Sequence, residues 1–200
     1  NRWESEAGKN LLISIIINSD FLLPEKQFYL NKLVSLAVSD VLIEIFPQKE
    51  VQIKWPNDIY YGDRKIAGIL IENSIRSNGS WQWAIIGIGI NVNQVVFDGL
   101  PKVTSLKSIL PITVDKDELL TKIIDKLKMY FKFYYKNGSE SLNLEYESYL
   151  FRKDKPSTFM SPDKSTFTGI IRGVSPSGKL ELQMEDSNKE FDLKELKLLY

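Results

Sequence analysis

The segment from Phe28 to Phe46 carries apolar residues at the spacing of an amphipathic helix, and this periodicity constrains the fold more than any other feature. Its apolar positions are Leu30, Leu33, Val34, Ala37, Val38, Val41, Leu42, Ile45 and Phe46. A helix of this kind must bury one face against another layer. Short runs rich in branched residues lie on both sides of it, so we expect an α+β protein.

Five extended runs are predicted in the first half of the chain. Each is short and rich in β-forming side chains, which favours strands over helices. The predicted strands are Leu11 to Asn18, Val51 to Trp55, Ile59 to Tyr61, Ile66 to Ile71, and Trp81 to Asn91. Between the third and fourth of them, Tyr61-Gly62-Asp63-Arg64 predicts a tight polar turn and hence a hairpin.

The second half begins with another helix and ends in short strands. Asp115 and Glu118 resemble a capping box, and Asn137-Gly138 is typical of a helix end. A loop from Gln94 to about Leu110 precedes this helix, and a shorter helix is predicted from Ser141 to Leu150. Strands are then predicted at Phe167 to Val174, Lys179 to Met184 and Glu190 to Asp192. We expect a boundary near Lys153, with one domain over residues 1–152 and a small β-domain over 153–200.

The composition removes several kinds of chemistry. The chain has no Cys and no His, so thiolate nucleophiles, imidazole bases and the usual zinc ligands are excluded. Lys plus Arg and Asp plus Glu both number 26, and a net charge of zero indicates neither a nucleic acid nor a membrane partner. We expect a cytoplasmic protein, and the start at Asn1 without Met suggests a longer parent.

Lys54 and Lys65 are the first candidates for binding an anion. They lie on adjoining predicted strands, so both ammonium groups could reach one ligand, although a lysine on a strand is usually a solvated edge charge. Lys65 is followed by Ile66-Ala67-Gly68. Small residues there would let a ligand approach the backbone beside a fixed positive charge.

The segment Trp55-Pro56-Asn57-Asp58 predicts a stiff turn, because Pro fixes its own φ and Asn57 and Asp58 can bond to nearby amides. Asp58 could instead hold a lysine or help to bind Mg²⁺ through water. The sequence leaves these alternatives open.

Gly87 and Gly89 alternate on one face of a branched strand, which would leave either a flat groove for a ligand ring or room for close packing. Asn91 offers the donor and acceptor that an adenine edge requires, although an isolated Asn is often a turn former. Arg2 supplies a phosphate-binding fork, and Trp3 supplies a flat stacking surface or a core side chain.

In order and in spacing, these residues resemble the catalytic domain of biotin protein ligases. The matching motifs are Lys54-Trp-Pro-Asn-Asp58, Lys65-Ile-Ala-Gly68, Gly87-Ile-Gly-Ile-Asn91, and Arg2-Trp3 followed by Gly8-Lys9-Asn10-Leu11. The resemblance implies a mixed β-sheet packed by helices, as in class II aminoacyl-tRNA synthetases, and a small C-terminal SH3-like barrel.

The resemblance also implies a two-step reaction. Biotin and ATP, with Mg²⁺, would give biotinyl-5′-AMP and pyrophosphate, and a lysine of a biotin carboxyl carrier protein would then take up the biotin. Positioning and charge neutralisation suffice for this chemistry, so an enzyme without His or Cys can perform it. Members of the family are monomers or homodimers.

Carried over by position, Lys65 would be the catalytic residue and would also bind biotin, together with Gly68 and Gly87. The residues implied for ATP and the adenylate are Arg2, Trp3, Lys54, Asn57, Asp58 and Asn91, and Phe97 to Leu106 would form part of a covering loop. The family's Gly-Arg-Gly-rich loop and its Ser/Thr strand precede the position of Trp3, so we expect the parent protein to extend before Asn1. A molecule that consisted of these 200 residues alone would lack half of the biotin pocket, and we would expect little or no ligase activity from it.

Two other hypotheses stay open at this point. Lipoate ligases share the fold and also react through an acyl-adenylate, although the motif around Trp55 and the terminal β-domain favour biotin. Alternatively, the chain is a non-catalytic module that binds a nucleotide or a partner through its sheet.

Overall fold

The computed structural model describes residues 3–18, 27–46, 50–76, 81–138 and 140–200. Its elements in chain order are β1 (Leu11–Asn18), α1 (Phe28–Ile45), β2 (Val51–Lys54), β3 (Asp58–Tyr61), β4 (Arg64–Ile75), β5 (Trp81–Ile90), α2 (Leu106–Ile109), α3 (Lys116–Asn137), α4 (Glu140–Ser148), β6 (Pro156–Met160), β7 (Thr166–Val174), β8 (Leu180–Gln183), β9 (Asn188–Phe191) and β10 (Lys197–Leu199).

The strands form two five-stranded sheets, in the orders β1-β5-β4-β3-β2 and β10-β6-β7-β8-β9. The α+β class is confirmed. The expected mixed sheet is not found, because the named strands pair antiparallel throughout both sheets of the described residues. Short turns join β2 to β3 and β3 to β4, and such turns can connect only antiparallel neighbours. The second sheet is open, because β10 and β9 are its two edge strands. The described pairings therefore do not close a barrel.

Helix α1 packs across one face of the first sheet. Its buried stripe includes Leu33, Val34 and Val41, and it contacts β2, β3 and β4 within the hydrophobic core that also contains Ile59 and Ile86. Helices α3 and α4 contact α1. The apolar stripe of α1 therefore covers one face of the first sheet, and the opposite face is free to form a site.

The face of the first sheet opposite α1 is apolar but accessible. Side chains alternate along each strand, so every second residue points away from the helix. Ile16 is 67% exposed and Leu70 is 60% exposed, and Leu12 and Ile85 are exposed beside them. The glycines that the sequence marked lie between these side chains, on β4 and β5.

The predicted helix starts and ends are confirmed to within a few residues. Asp115 is the N-cap of α3, and Gly138 follows its end with a φ of 76°. The turn at Gly62 is also confirmed, with a φ of 60°. Strands β6 and β10 and the short helix α2 were not predicted. Within the described residues no helix is long and apolar enough to span a membrane.

Candidate active site

The candidate site lies on the exposed face of the first sheet, where β3, β4 and β5 run side by side. A cavity of about 600 Å³ opens there. A smaller one of about 170 Å³ adjoins it. Trp3 and Lys65 line both cavities. The other predicted residues that line the larger cavity are Asn57, Asp58, Gly68 and Gly87.

Lys65 is the charged residue at the junction of the two cavities. Its Nζ lies 2.5 Å from Asp58 Oδ1, and both side chains keep about a quarter of their surface exposed (27% and 22%). The pair is formed because β3 and β4 are neighbouring strands, with a register shift between Ile59 and Tyr60. Of the alternatives for Asp58, the structure shows the one in which it holds a lysine.

The loop that follows β5 forms hydrogen bonds with the backbone of Lys65. Its N–H donates to Lys102 O at 2.9 Å, and its C=O accepts from Thr104 N at 2.9 Å. The Phe97 to Leu106 segment therefore lies directly along β4. This contact explains how a loop distant in sequence reaches the lysine.

Trp3 lies flat against two glycines that face each other across β4 and β5. A Cβ atom added to Gly68 would lie 2.9 Å from Trp3 Cζ3, and one added to Gly89 would lie 2.8 Å from Trp3 Cε2. Lys65 Nζ lies 5.3 Å from the centroid of the Trp3 ring. Of the two alternatives for Gly89, the structure shows close packing, since an aromatic side chain of the protein covers its backbone.

Gly87 differs from Gly89 although both lie on β5. A Cβ atom at Gly87 would come no closer than 3.4 Å to a neighbour, the carbonyl oxygen of Leu70. Its surface borders the larger cavity. Gly87 therefore leaves open backbone where a ligand could lie.

Lys54 faces a different cavity from Lys65. Its Nζ lies 5.5 Å from the ring centroid of Tyr60 and 5.6 Å from that of Tyr200. Burial lowers the pKa of Lys54 below its ordinary value of 10.5, while the nearby Asp58 carboxylate opposes that shift. The cavity that Lys54 lines, of about 420 Å³, lies between the Lys54 to Asp58 segment and the second sheet.

Asn57 stabilises the turn between β2 and β3. Its Nδ2 donates to Ile69 O at 2.6 Å. Ile69 N donates back to Asn57 O at 2.9 Å. Asn57 and Asp58 line both the cavity of Lys54 and that of Lys65, so this turn joins the two.

Asn91 is almost fully buried, with 2% of its surface exposed. Its Nδ2 donates to Thr104 O at 2.9 Å. It also lines the smaller cavity, beside Phe97. The side chain thus anchors the loop after β5 and borders the space predicted for adenine. Arg2 lies outside the described residues.

Sequence reasoning missed the network that fixes the segment carrying Trp3. Asn10 is buried, its Nδ2 donates to Gln94 Oε1 at 2.7 Å, and its Oδ1 accepts from Val92 N at 3.0 Å. Glu6 N also donates to Gln94 Oε1, at 2.9 Å. The sequence marked Gly8-Lys9-Asn10-Leu11 only as part of the family resemblance, and no local pattern predicted that Asn10 would bond to residues more than 80 positions away.

The chain is similar in sequence to several known proteins. Residues 1–91 match the model of the biotin/lipoate A/B protein ligase family. The bifunctional ligase/repressor BirA of Salmonella typhimurium is 30% identical over 186 residues, which cover 92% of this chain and 57% of that protein. Biotin–protein ligase 1 of Arabidopsis thaliana, a chloroplastic protein, is 28% identical over 207 residues, covering 96% of this chain and 53% of that one.

A solved structure extends the family match to the fold. Biotin protein ligase from Aquifex aeolicus in complex with biotin and ATP superposes with a TM-score of 0.78 at 26% identity, covering 96% of this chain and 78% of that one. The chain therefore spans little more than half of the length of the two curated relatives and most of the solved one.

Proposed function

We propose that this chain carries the catalytic site of an ATP-dependent biotin protein ligase. The reaction would form biotinyl-5′-AMP and then transfer biotin to a lysine of a biotin carboxyl carrier protein. The observation that carries the proposal is the position of Lys65, paired with Asp58 where two cavities meet on the exposed sheet face. The Arabidopsis relative and the solved structure named above are biotin protein ligases, which favours biotin over lipoate.

The chemistry explains why a lysine belongs at that junction. In the first step, a carboxylate oxygen attacks the α-phosphorus of ATP, and pyrophosphate leaves. Both reactants are anionic, so the step needs a fixed cation and positioning but no protein nucleophile. In the second step, the amine of the carrier lysine attacks the acyl carbon, loses a proton, and AMP leaves. Lys65 offsets negative charge in both steps, and Mg²⁺ arrives with the phosphates of ATP.

The roles of the other residues follow from the cavity that each one borders. Gly68 and Gly87 would face biotin, and Asn91 with Trp3 would border the adenine side. Asn57 and Asp58 support the turn and the lysine. Lys54, in the adjoining cavity, and Arg2 would contact phosphates. The donor set fits Mg²⁺ brought by ATP, since one nearby carboxylate, that of Asp58, is enough when phosphates supply other ligands.

We also infer a division of the chain near Lys153. Residues 1–152 would form the catalytic domain, and the second sheet would correspond to the small SH3-like barrel of the family. Strands β6 to β10 pair only with one another among the named strands of the described chain, which supports that division.

The test is to measure ligand binding and pyrophosphate release with Lys65→Ala. The 200-residue chain is titrated with biotin and ATP in a calorimeter, and pyrophosphate is measured after mixing both. Lys65→Ala should lose adenylate formation by at least about a hundredfold, since it removes the only cation proposed to bridge both reactants. Its circular dichroism should stay unchanged, because the side chain is partly exposed.

The matched control is Lys122→Ala, an exposed lysine on α3 that pairs with Glu118. It should keep full activity. If Lys65→Ala turned over as fast as the unmutated chain, the catalytic role proposed for Lys65 would be contradicted. Pyrophosphate release with lipoate but not with biotin would identify a lipoate ligase. Failure of both the 200-residue chain and a chain extended before Asn1 to bind either ligand would indicate a non-catalytic module.

A further inference from the structure

We propose that Gly89 is a positioning residue: together with Gly68 it forms a flat seat for the Trp3 ring, which in turn holds the Lys65 ammonium group between the two cavities. Gly89 lies directly opposite Gly68 in the β4 and β5 pairing. The seat exists because neither residue has a Cβ atom.

The distances leave no room for a side chain at either position. A Cβ atom at Gly89 would lie 2.8, 2.9 and 3.1 Å from three atoms of the Trp3 ring. One at Gly68 would lie 2.9 Å from the ring and 3.1 Å from both Cε and Nζ of Lys65. The ring and the lysine therefore rest on the same patch of backbone, and a methyl group there must displace one of them.

Trp3 is suited to position a charged neighbour. Lys65 Nζ lies 5.3 Å from its ring centroid, within the range of a cation–π contact, while Asp58 Oδ1 contacts the same ammonium group at 2.5 Å. The lysine is thus held by a carboxylate and by an aromatic face. If the Trp3 ring were displaced, Lys65 would keep only Asp58 of these two partners.

The indole N–H of Trp3 supports a role toward a ligand. Trp3 Nε1 is buried and has no hydrogen-bond partner among the residues that the structure describes. A buried donor without a partner costs about 1–3 kcal/mol, so such groups are nearly always satisfied. Nε1 itself has almost no accessible surface, but Trp3 borders both cavities, so a rotation of its ring would bring the N–H to a carboxylate or phosphate oxygen of a ligand lying across them.

The seat itself is tested without any ligand. The chain has four tryptophans, so the ¹⁵N-labelled protein should show four indole resonances, and Trp3→Ala assigns the one from Trp3. Gly89→Ala should shift the Trp3 resonance and leave those of Trp55 and Trp83 in place. Gly87→Ala, on the same strand but with its nearest neighbour at 3.4 Å, should not shift it. An unmoved Trp3 resonance in Gly89→Ala would overturn the proposal.

The positioning role, which rests on the proposed function, is tested by a double-mutant cycle on biotin and ATP binding. Gly89→Ala should weaken binding by about tenfold or more when Trp3 is present, since misplacement by about 1 Å is costly at such sites. In a Trp3→Ala background the same change should alter binding by less than about twofold, because the clash is gone. Equal effects in both backgrounds would mean that Gly89 contacts the ligand directly and would refute the seat.

Folding and ligand binding are separated by two further comparisons. If Gly89→Ala alone is unstable, the Trp3→Ala/Gly89→Ala double variant should have the same melting temperature as Trp3→Ala, because the clash is absent in that background, and a further loss would contradict the proposal. Gly169→Ala, a strand glycine of β7 whose Cβ would meet its neighbours at 3.5 Å, controls for the general effect of the substitution. If the unmutated chain binds no ligand, the proposed function is not supported. The indole experiment still shows whether Gly89 supports the Trp3 ring.

Discussion

At the scale of single residues, the candidate site is built around one lysine that its neighbours hold in place. Lys65 contacts Asp58 on one side and the Trp3 ring on another. A chain without His or Cys must rely on such fixed charges for catalysis. The Asp58 carboxylate therefore matters because it fixes the position of the Lys65 ammonium group.

Removal of Asp58 should weaken catalysis less than removal of Lys65. We expect Asp58→Ala to lower the rate of adenylate formation by about tenfold to a hundredfold, because a lysine without its ion pair samples more rotamers and is less well aligned. Pyrophosphate release under saturating biotin and ATP measures this rate. The control is Asp63→Ala, in the exposed turn of the same hairpin, which should match the parent. A rate for Asp58→Ala equal to that of the parent would show that Asp58 does not position the lysine.

At the scale of secondary structure, the strong periodic patterns were predicted correctly and the weak ones were not. Helix α1, strand β1 and the β3 to β4 hairpin all have clear apolar periods or turn residues. Strand β6 begins with Pro156, and β10 has only three residues, Lys197–Leu199. These strands form because β7 and β6 offer them pairing partners, and that nonlocal contact leaves no period in the sequence.

Helix α3 offers a test of its predicted cap. Asp115 Oδ1 accepts hydrogen bonds from Asp117 N at 2.8 Å and Glu118 N at 3.2 Å. Asp115→Ala should lower the free energy of unfolding by about 1 kcal/mol, because two helix N–H groups lose their acceptor. Urea denaturation followed by circular dichroism measures the difference. Asp115→Asn keeps an acceptor oxygen and should cost much less, and equal losses in both variants would argue against the cap.

At the scale of the whole molecule, a buried lysine links the helices to the second sheet. Lys32 has no exposed surface, and its Nζ donates to Asn143 Oδ1 at 2.8 Å and to Val174 O at 3.0 Å. Burial lowers the pKa of Lys32 to about 8, while Glu147 and Glu181 oppose that shift. Helices α1 and α4 and strand β7 therefore meet at one charged group.

Stability should depend on pH through this lysine. The pKa of Lys32 is about 8 in the folded protein and 10.5 in the unfolded chain. Below about pH 8, burial of the charged lysine therefore lowers the free energy of unfolding. This loss disappears as the pH rises toward 10.5, because the folded protein releases the proton first. The parent should therefore gain stability relative to Lys32→Met over that interval, by on the order of 2 kcal/mol. Denaturation at pH 7, 9 and 10 for both proteins gives the difference, in which other titrating groups cancel. Lys132→Met, on the exposed side of α3, serves as reference, and a pH-independent difference for Lys32→Met would contradict the expectation.

The sequence by itself determined the local elements and the identity of the charged residues. The periods of α1, β1 and β5 are local properties, and the order of the Lys54, Lys65 and Gly87 motifs was enough to indicate a family, because motif spacing is a property of the chain. Only the tertiary structure decided which side chains meet. It paired Lys65 with Asp58, turned Lys54 toward a different cavity, and placed Trp3 on Gly68 and Gly89. Strand register and side-chain direction depend on contacts between residues far apart in the chain, and no local pattern encodes them.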